Sequence, residues 1–105
     1  MSDSKQSSKQ VKKDFLVYVA RHGGKLFIFI YDRELIEDKK SRFRSAKFNL
    51  ECNEEELEEL MKESISINFF GKKSVKKGIE KGYVHPEGIS EIDGIPCAIS
   101  IRMTS

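Results

Sequence analysis

Two strongly apolar runs separated by a pair of glycines constrain the fold of this chain more than any other feature. Residues 15–21 and 25–31 are rich in β-branched and aromatic side chains, and Gly23 and Gly24 lie between them. Glycine adopts the positive φ that a two-residue hairpin turn requires, so the pattern predicts a β-hairpin. The second run is apolar at every position after Lys25. This indicates a central strand covered on both sides, or a strand of a small barrel.

The rest of the sequence predicts four more strands and two helices. The strands are expected at residues 45–50, 64–69, 89–92 and 95–103, and a turn or single helical turn at residues 32–38. One helix is expected between Asn53 and Ser64, and a second between Ser74 and Gly82, with Asn53 and Ser74 as N-caps. The order β-β-β-α-β-α-β-β predicts an α+β domain, a mostly antiparallel sheet of five to six strands with two helices.

Alternating residues assign faces to these segments. Ala46, Phe48 and Leu50 are predicted to point inward from the third strand. Glu56 follows Asn53 at the spacing of a capping box, which supports the start of the first helix. In the last strand, the alternate residues that share a face are Ile95, Cys97, Ile99, Ile101 and Met103.

The chain is expected to hold one domain. Residues 1–12 have a single apolar residue, Val11, after the initiator Met. Such a segment buries too little surface to offset its ordering entropy, so we predict a flexible basic arm at 1–12 and a single domain at 13–105. Residues 1–13 lack the apolar stretch of a signal peptide. The longest apolar run, residues 26–31, is far shorter than the roughly 20 residues that span a membrane. We therefore expect a cytoplasmic protein with no membrane partner.

The metal-ligating residue types are few and scattered. Cys52 and Cys97 form no Cys-x-x-Cys pair, and His22 and His85 have no ligand spacing to them. The cysteines are typical of free thiols in a reducing compartment. We expect no metal and no cofactor.

Charged residues are segregated along the chain, although the net charge is only +2. Residues 39–47 hold five basic residues and no acid, residues 51–63 hold seven acids and one Lys, and residues 72–81 hold five Lys and one Glu. Blocks of this kind can give a folded domain one basic and one acidic face.

Gly71 and Ser74 flank two lysines at a predicted strand-to-helix junction. A P-loop is excluded because Ser66 stands where its first glycine would be and a second Lys precedes Ser74. A helix N-terminus can nevertheless bind phosphate through its backbone N–H groups. The candidate residues are Gly71, Lys72, Lys73, Ser74, Lys76 and Lys77. The alternative is a solvated helix face.

The basic block at residues 39–47 is the second candidate site. Its members are Lys39, Lys40, Arg42, Phe43, Arg44 and Lys47. Arginine binds phosphate and stacks on bases, and the Phe43 ring could stack as well. The alternative is a charged surface loop with Phe43 tucked into the core.

No residue of this chain is a strong candidate for catalysis. His85 precedes Pro86 and Glu87 in a predicted turn, and His22 lies at the hairpin tip, so neither has a predictable base or nucleophile as a partner. The acids of residues 51–63 mostly occupy the solvent positions of an amphipathic helix, which could also meet a basic partner protein.

The C-terminal half of the sequence is similar to a known family. Its motifs are Asn68-Phe-Phe-Gly71-Lys-Lys-Ser74-Val75, then His85-Pro86-Glu87, then Gly94-Ile95-Pro96. These resemble a small archaeal family called domain of unknown function 424, with a weaker likeness at residues 19–24 and 32–35. Members often have His at the position of Cys97 and Gly in place of residues 36–38. The resemblance implies an archaeal, cytoplasmic protein and no particular activity.

These observations favour a non-enzymatic binding protein. We expect it to bind ribosomal or transfer RNA through a basic face formed by the two Lys-rich stretches, and to act in translation or ribosome biogenesis. A protein–protein adaptor is the first alternative, with the helix at residues 53–64 meeting a ribosomal protein or translation factor. An enzyme that holds a phosphate ligand at residues 71–74, with His85 nearby, is the second.

Overall fold

The computed structural model describes residues 12–102, so the expected arm lies outside the described residues except for Lys12. The strands are β1 (Phe15–His22), β2 (Lys25–Asp32), β3 (Leu50–Cys52), β4 (Ser64–Phe70), β5 (Ser90–Ile92) and β6 (Ile95–Ile101). The helices are α1 (Arg33–Glu37), α2 (Glu54–Glu63) and α3 (Lys72–Glu80), and a 3-10 turn spans Pro86–Gly88. The predicted α+β class is confirmed, and the order of the strands and the two long helices agrees with the prediction.

The six strands form one sheet in the order β3-β1-β2-β4-β6-β5. All neighbours are antiparallel except β2 and β4, which are parallel. The predicted hairpin joins β1 to β2, with φ of 58° at Gly23 and 76° at Gly24. The apolar strand β2 is central, as its composition predicted.

Both long helices pack on the same face of the sheet. The core joins sheet residues to side chains of α2 and α3, and its members include Val17, Ile28, Ile30, Ile67, Phe69, Leu57, Met61 and Val75. The predicted capping box starts α2: the Asn53 side chain accepts the Glu56 N–H at 2.8 Å, and the Glu56 side chain accepts the Asn53 N–H at 2.9 Å. Because both long helices pack on one face, neither α2 nor α3 covers the opposite face of β2.

The prediction for the third strand was wrong in its position and its inward residues. The strand spans Leu50–Cys52, and Phe48 and Leu50 are each 41% exposed. The preceding residues form turns instead, and Asn49 then joins the edge of β1, where its side chain pairs with both the N–H and the C=O of Val19. This segment connects α1 to the edge strand β3. An alternating pattern of apolar residues does not distinguish such a connection from a strand.

The last strand shows the expected alternation in an unexpected environment. Ile99 and Ile101 share a face, but they are 57% and 61% exposed. Ala98, on the other face of β6, is the residue that packs against the core. Met103 lies outside the described residues. The apolar side of β6 therefore lies on the side of the sheet that the helices leave uncovered.

Candidate functional site

The sheet face opposite the helices, which we call the open face, carries three rows of side chains across β1, β2, β4 and β6. The strand registers align Leu16, Tyr31, Phe70 and Cys97 in the first row, Tyr18, Phe29, Asn68 and Ile99 in the second, and Ala20, Phe27, Ser66 and Ile101 in the third. Most of these side chains are apolar, and five of them are aromatic: Tyr18 on β1, Phe27, Phe29 and Tyr31 on β2, and Phe70 on β4.

The first row is covered by the segment that connects α1 to β3. The Phe43 ring lies over this row, with its centroid 5.2 Å from that of Phe70 and 6.0 Å from that of Tyr31. Tyr31 and Phe70 stack on each other at 5.0 Å with an interplanar angle of 11°. Phe43 therefore anchors its loop to the sheet and is half-buried there. The ring is therefore packed against the sheet, but on the open face and not in the core that the sequence alternative gave it.

The second row is open and lies beside a cation. Tyr18, Phe29, Tyr31 and Lys47 line a shallow depression in the open face. Tyr18 is 37% exposed, and its ring lies 6.1 Å from that of Phe29. Burial raises the pKa of the Tyr31 phenol, so that side chain stays neutral. The depression combines uncharged aromatic surface with one ammonium group.

The basic residues of the loop differ in whether they have partners within the described residues. Arg42 pairs with Asp93, in the turn between β5 and β6, at 2.7 Å, and Arg44 donates to the Lys39 carbonyl at 2.8 Å. None of the ion pairs among residues 12–102 involves Lys47. The loop thus carries cations along one end of the open face.

A second cation lies at the other end of the same aromatic surface. His22 and Lys25 are paired in the hairpin and lie on the open face. The His22 ring meets Phe27 edge-on at 5.8 Å. The exposed ring of Tyr18 and the half-buried rings of Phe27, Phe29 and Tyr31 form what we call the aromatic strip, with Lys47 at one end and Lys25 at the other.

The predicted phosphate site at the start of α3 holds an anion of the chain itself. The Asp32 carboxylate accepts the N–H of Lys73 at 2.9 Å, the N–H of Ser74 at 2.8 Å and the hydroxyl of Ser74 at 2.7 Å. Asp32 and Ser74 are both buried. Ser74 is not the N-cap, since α3 begins at Lys72 after Gly71. A phosphate would have to displace Asp32 to reach these N–H groups.

Lys77 is also committed to internal contacts. Only 6% of this residue is exposed, and its ammonium group contacts Glu54 at 2.6 Å and Glu58 at 3.0 Å. These hydrogen bonds, the one to Glu54 first, raise the pKa of Lys77 against the opposing effect of burial. Lys77 thus joins α3 to α2.

The two predicted basic stretches lie on opposite sides of the sheet. α3 packs on the helix-covered face through Val75, whereas the loop packs on the open face through Phe43. Lys72 and Lys76 are exposed, and Lys73 lies 3.8 Å from Asp14. The loop residues therefore form one candidate surface with the aromatic strip, and the α3 lysines are separate from it.

Most of the glutamates of the acidic helix α2 form ion pairs with lysines of the same chain. Glu54 and Glu58 contact Lys77, Glu56 contacts Lys13 and Glu59 contacts Lys62. These contacts leave less of its charge free for a basic partner protein than the sequence indicates.

The remaining polar groups have local roles. His85 Nδ1 accepts the Glu87 N–H at 3.1 Å and caps the 3-10 turn.

Among residues 12–102, His, Cys, Asp and Glu form no group of three that could hold a metal ion. None of the helices in that part of the chain has the length and apolar character needed to cross a bilayer.

Sequence reasoning missed the aromatic strip as a candidate site. Phe27, Phe29 and Tyr31 alternate along β2, and they were assigned to a covered face. The signal that could have found them is the number of helices: two short helices can cover one face of a six-stranded sheet, but not both.

Comparison with known proteins assigns the chain to a family. The sequence profile described as "Protein of unknown function (DUF424)" matches residues 45–103, more than half of the chain. The chain belongs to the DUF424 family. The matched part of this DUF424 protein runs from the end of the basic loop to the last strand, so the hairpin and residues 39–44 precede it.

One solved structure supports the fold of this DUF424 protein. It is the crystal structure of an uncharacterized conserved protein from the archaeon Methanopyrus kandleri, with a TM-score of 0.60 and 14% sequence identity. The match covers 87% of this chain and 95% of that one. No curated protein matches the chain.

Proposed function

We propose that this DUF424 protein is a non-enzymatic, cytoplasmic RNA-binding protein that holds single-stranded segments on its open face. The observation that supports this most is the depression in which Lys47 lies beside Tyr18, Phe29 and Tyr31. Unpaired loops and ends of ribosomal or transfer RNA would supply such segments, with a role in translation or ribosome biogenesis.

The aromatic rings supply the base contacts. Sheets that bind single-stranded RNA present exposed aromatic side chains on which bases stack. Each stacked base contributes about 1–3 kcal/mol, whatever its identity, because every base has a π face. Tyr18 and Phe29 are the accessible rings of the second row, and the Phe27 ring lies in the third row.

The cations supply the phosphate contacts. Lys47 and Lys25 lie at the two ends of the aromatic strip, and Lys39, Lys40 and Arg44 are further exposed cations of the loop that Phe43 anchors on the first row. Neutralising backbone phosphates releases condensed counterions, so the affinity should fall with salt. A protein partner for this face would not require cations beside the rings, and for that reason we favour RNA.

The phosphate contacts are tested by removing one positive charge from each face. Lys47→Ala should weaken binding of a short single-stranded RNA in fluorescence anisotropy and reduce the slope of log Kd against log salt by about 0.7. Lys72→Ala is the matched control because Lys72 is exposed on α3, behind the sheet. Equal effects of the two variants, or no binding at low salt, would contradict the proposal.

The stacking contacts are tested by replacing rings with aliphatic side chains. Tyr18→Leu and Phe29→Leu keep apolar surface but remove the π face, so each should weaken RNA binding at least about fivefold. Their melting temperatures should stay close to that of the unmodified protein. Unchanged affinity in both variants would count against binding on the open face.

A further inference from the structure

Asn68 is the one amide in the three rows of the open face, and it lies at the centre of the second row. Its neighbours in that row are Phe29 on β2 and Ile99 on β6. The side chain is half-buried, and Asn is a disfavoured residue within a strand. Among residues 12–102 its amide forms no hydrogen bond.

The position of Asn68 is suited to contact the edge of a base. Neighbouring strands lie about 4.8 Å apart, so a planar ring stacked on Phe29 extends over the adjacent strand and reaches the amide. An amide offers a donor and an acceptor side by side. Because its row neighbours Phe29 and Ile99 are apolar, they do not use the amide donor and acceptor of Asn68, which stay available to a ligand.

We infer that Asn68 selects adenine at the position stacked on Phe29, an inference that rests on the proposed function. Asn forms a bidentate contact with the N6 amino group and N7 of adenine. Adenine also places its N6 donor beside the N1 acceptor on its other exposed edge, so two orientations satisfy the amide. A single-stranded base can present either edge. Stacking alone does not distinguish bases in this way.

Ser66 provides a matched control on the same strand and the same face. It lies in the third row between Phe27 and Ile101, two residues before Asn68 on β4. Its hydroxyl is too short to form the bidentate contact. Ser66→Ala should therefore leave base selection unchanged, whereas Asn68→Leu should remove it.

The test compares two oligonucleotides that differ only at N6. One is a short oligoadenylate, and the other contains N6,N6-dimethyladenine, which keeps the purine ring but has no N6–H to donate. The unmodified protein and Ser66→Ala should bind oligoadenylate at least about fivefold more tightly than its dimethylated form, as expected for the loss of a bidentate contact. Asn68→Leu should bind both equally, with an unchanged melting temperature or a higher one.

The outcomes separate this inference from the proposed function. If the unmodified protein binds both oligonucleotides equally, Asn68 does not select adenine, although binding to RNA still holds. If it binds neither oligonucleotide and no other single-stranded RNA at low salt, both proposals are overturned. Capture of a protein instead of RNA by the open face would have the same consequence.

Discussion

The carboxylate of Asp32 caps the helix that contains Ser74, which lies 42 residues later in the chain. Asp32 directly precedes α1 but forms no side-chain hydrogen bond with that helix. It instead accepts two backbone N–H groups and one hydroxyl in the first turn of α3. A negative charge at this position also complements the positive end of the helix dipole. The contact fixes the start of α3 at the end of β2.

Removal of the Asp32 carboxylate should destabilise the fold. Asp32→Ala would leave the N–H groups of Lys73 and Ser74 and the Ser74 hydroxyl buried without an acceptor, which we expect to cost about 2–3 kcal/mol. Ser74→Ala removes only the hydroxyl bond and should cost about 1 kcal/mol. Urea unfolding should show a lower midpoint with an unchanged slope. Equal stability of Asp32→Ala and the unmodified protein would show that the cap contributes nothing.

Gly71 should be intolerant of any side chain for two reasons. Its φ of 110° and ψ of 162° fall in a region that is essentially restricted to glycine. A Cβ atom would also lie 2.4 Å from Cγ of Asp32. We expect Gly71→Ala to cost about 2 kcal/mol or more.

Gly88→Ala is the control for this substitution. A Cβ at Gly88 meets no atom within 4 Å, and its backbone is not in the positive-φ region. Thermal unfolding should therefore show little change for Gly88→Ala, or a gain of up to about 1 kcal/mol. If the two alanine variants had the same melting temperature, the conformation assigned to Gly71 would be incorrect.

The start of α3 illustrates what local sequence can predict. Gly71, Ser74 and the lysines correctly indicated a helix N-terminus with anion-binding capacity. They could not indicate which anion occupies it, because Asp32 reaches the site only after β2 and β4 pair in parallel. The capping box of α2 was predictable since both of its partners, Asn53 and Glu56, lie within one helical turn.

The open face shows a limit of another kind. The alternation in β2 predicted two apolar faces, and both exist. Which face is covered depends on the side to which α2 and α3 cross, and this follows from the topology of the whole chain. The aromatic residues that remain exposed were therefore identified correctly as strand residues, but not as a candidate site.

Lys77 should make the stability of the domain depend on pH. Hydrogen bonds to Lys77 hold the pKa of Glu54 and of Glu58 below their ordinary value of 4.5. Carboxyl groups with a lowered pKa in the folded state stabilise it above 4.5, and that contribution is lost as the pH falls through the lowered pKa. Lys77→Met removes the hydrogen bonds, so the variant should lose less stability on acidification than the unmodified protein.

The control for this prediction is Lys76→Met, which removes an exposed charge from the same helix. Its acid dependence should lie much closer to that of the unmodified protein, because Lys76 forms no ion pair within residues 12–102 and its charge is the smallest of the influences that lower the pKa of Glu54. The contact between Lys81 and Glu58 at 3.4 Å remains in both variants, whereas the contact between Glu80 and Lys77 at 3.8 Å is lost in Lys77→Met. Parallel stability curves for all three proteins between neutral pH and the acid transition would refute the role given to Lys77.

The two cysteines should differ strongly in their reactivity toward iodoacetamide. Burial, with a smaller effect of nearby Glu56, raises the pKa of Cys52 from 9.0 to about 11, which lowers its thiolate fraction at neutral pH about 100-fold. Cys52 is also only 1% exposed, whereas Cys97 is half-buried on the open face. Since the thiolate is the reacting species, mass spectrometry of the folded protein should show one alkylated cysteine, at Cys97, and both after unfolding.

Cys97→Ser should abolish labelling of the folded protein, while Cys52→Ser should leave it intact. Rapid native labelling of Cys52 would mean that its thiol is not buried in the folded protein.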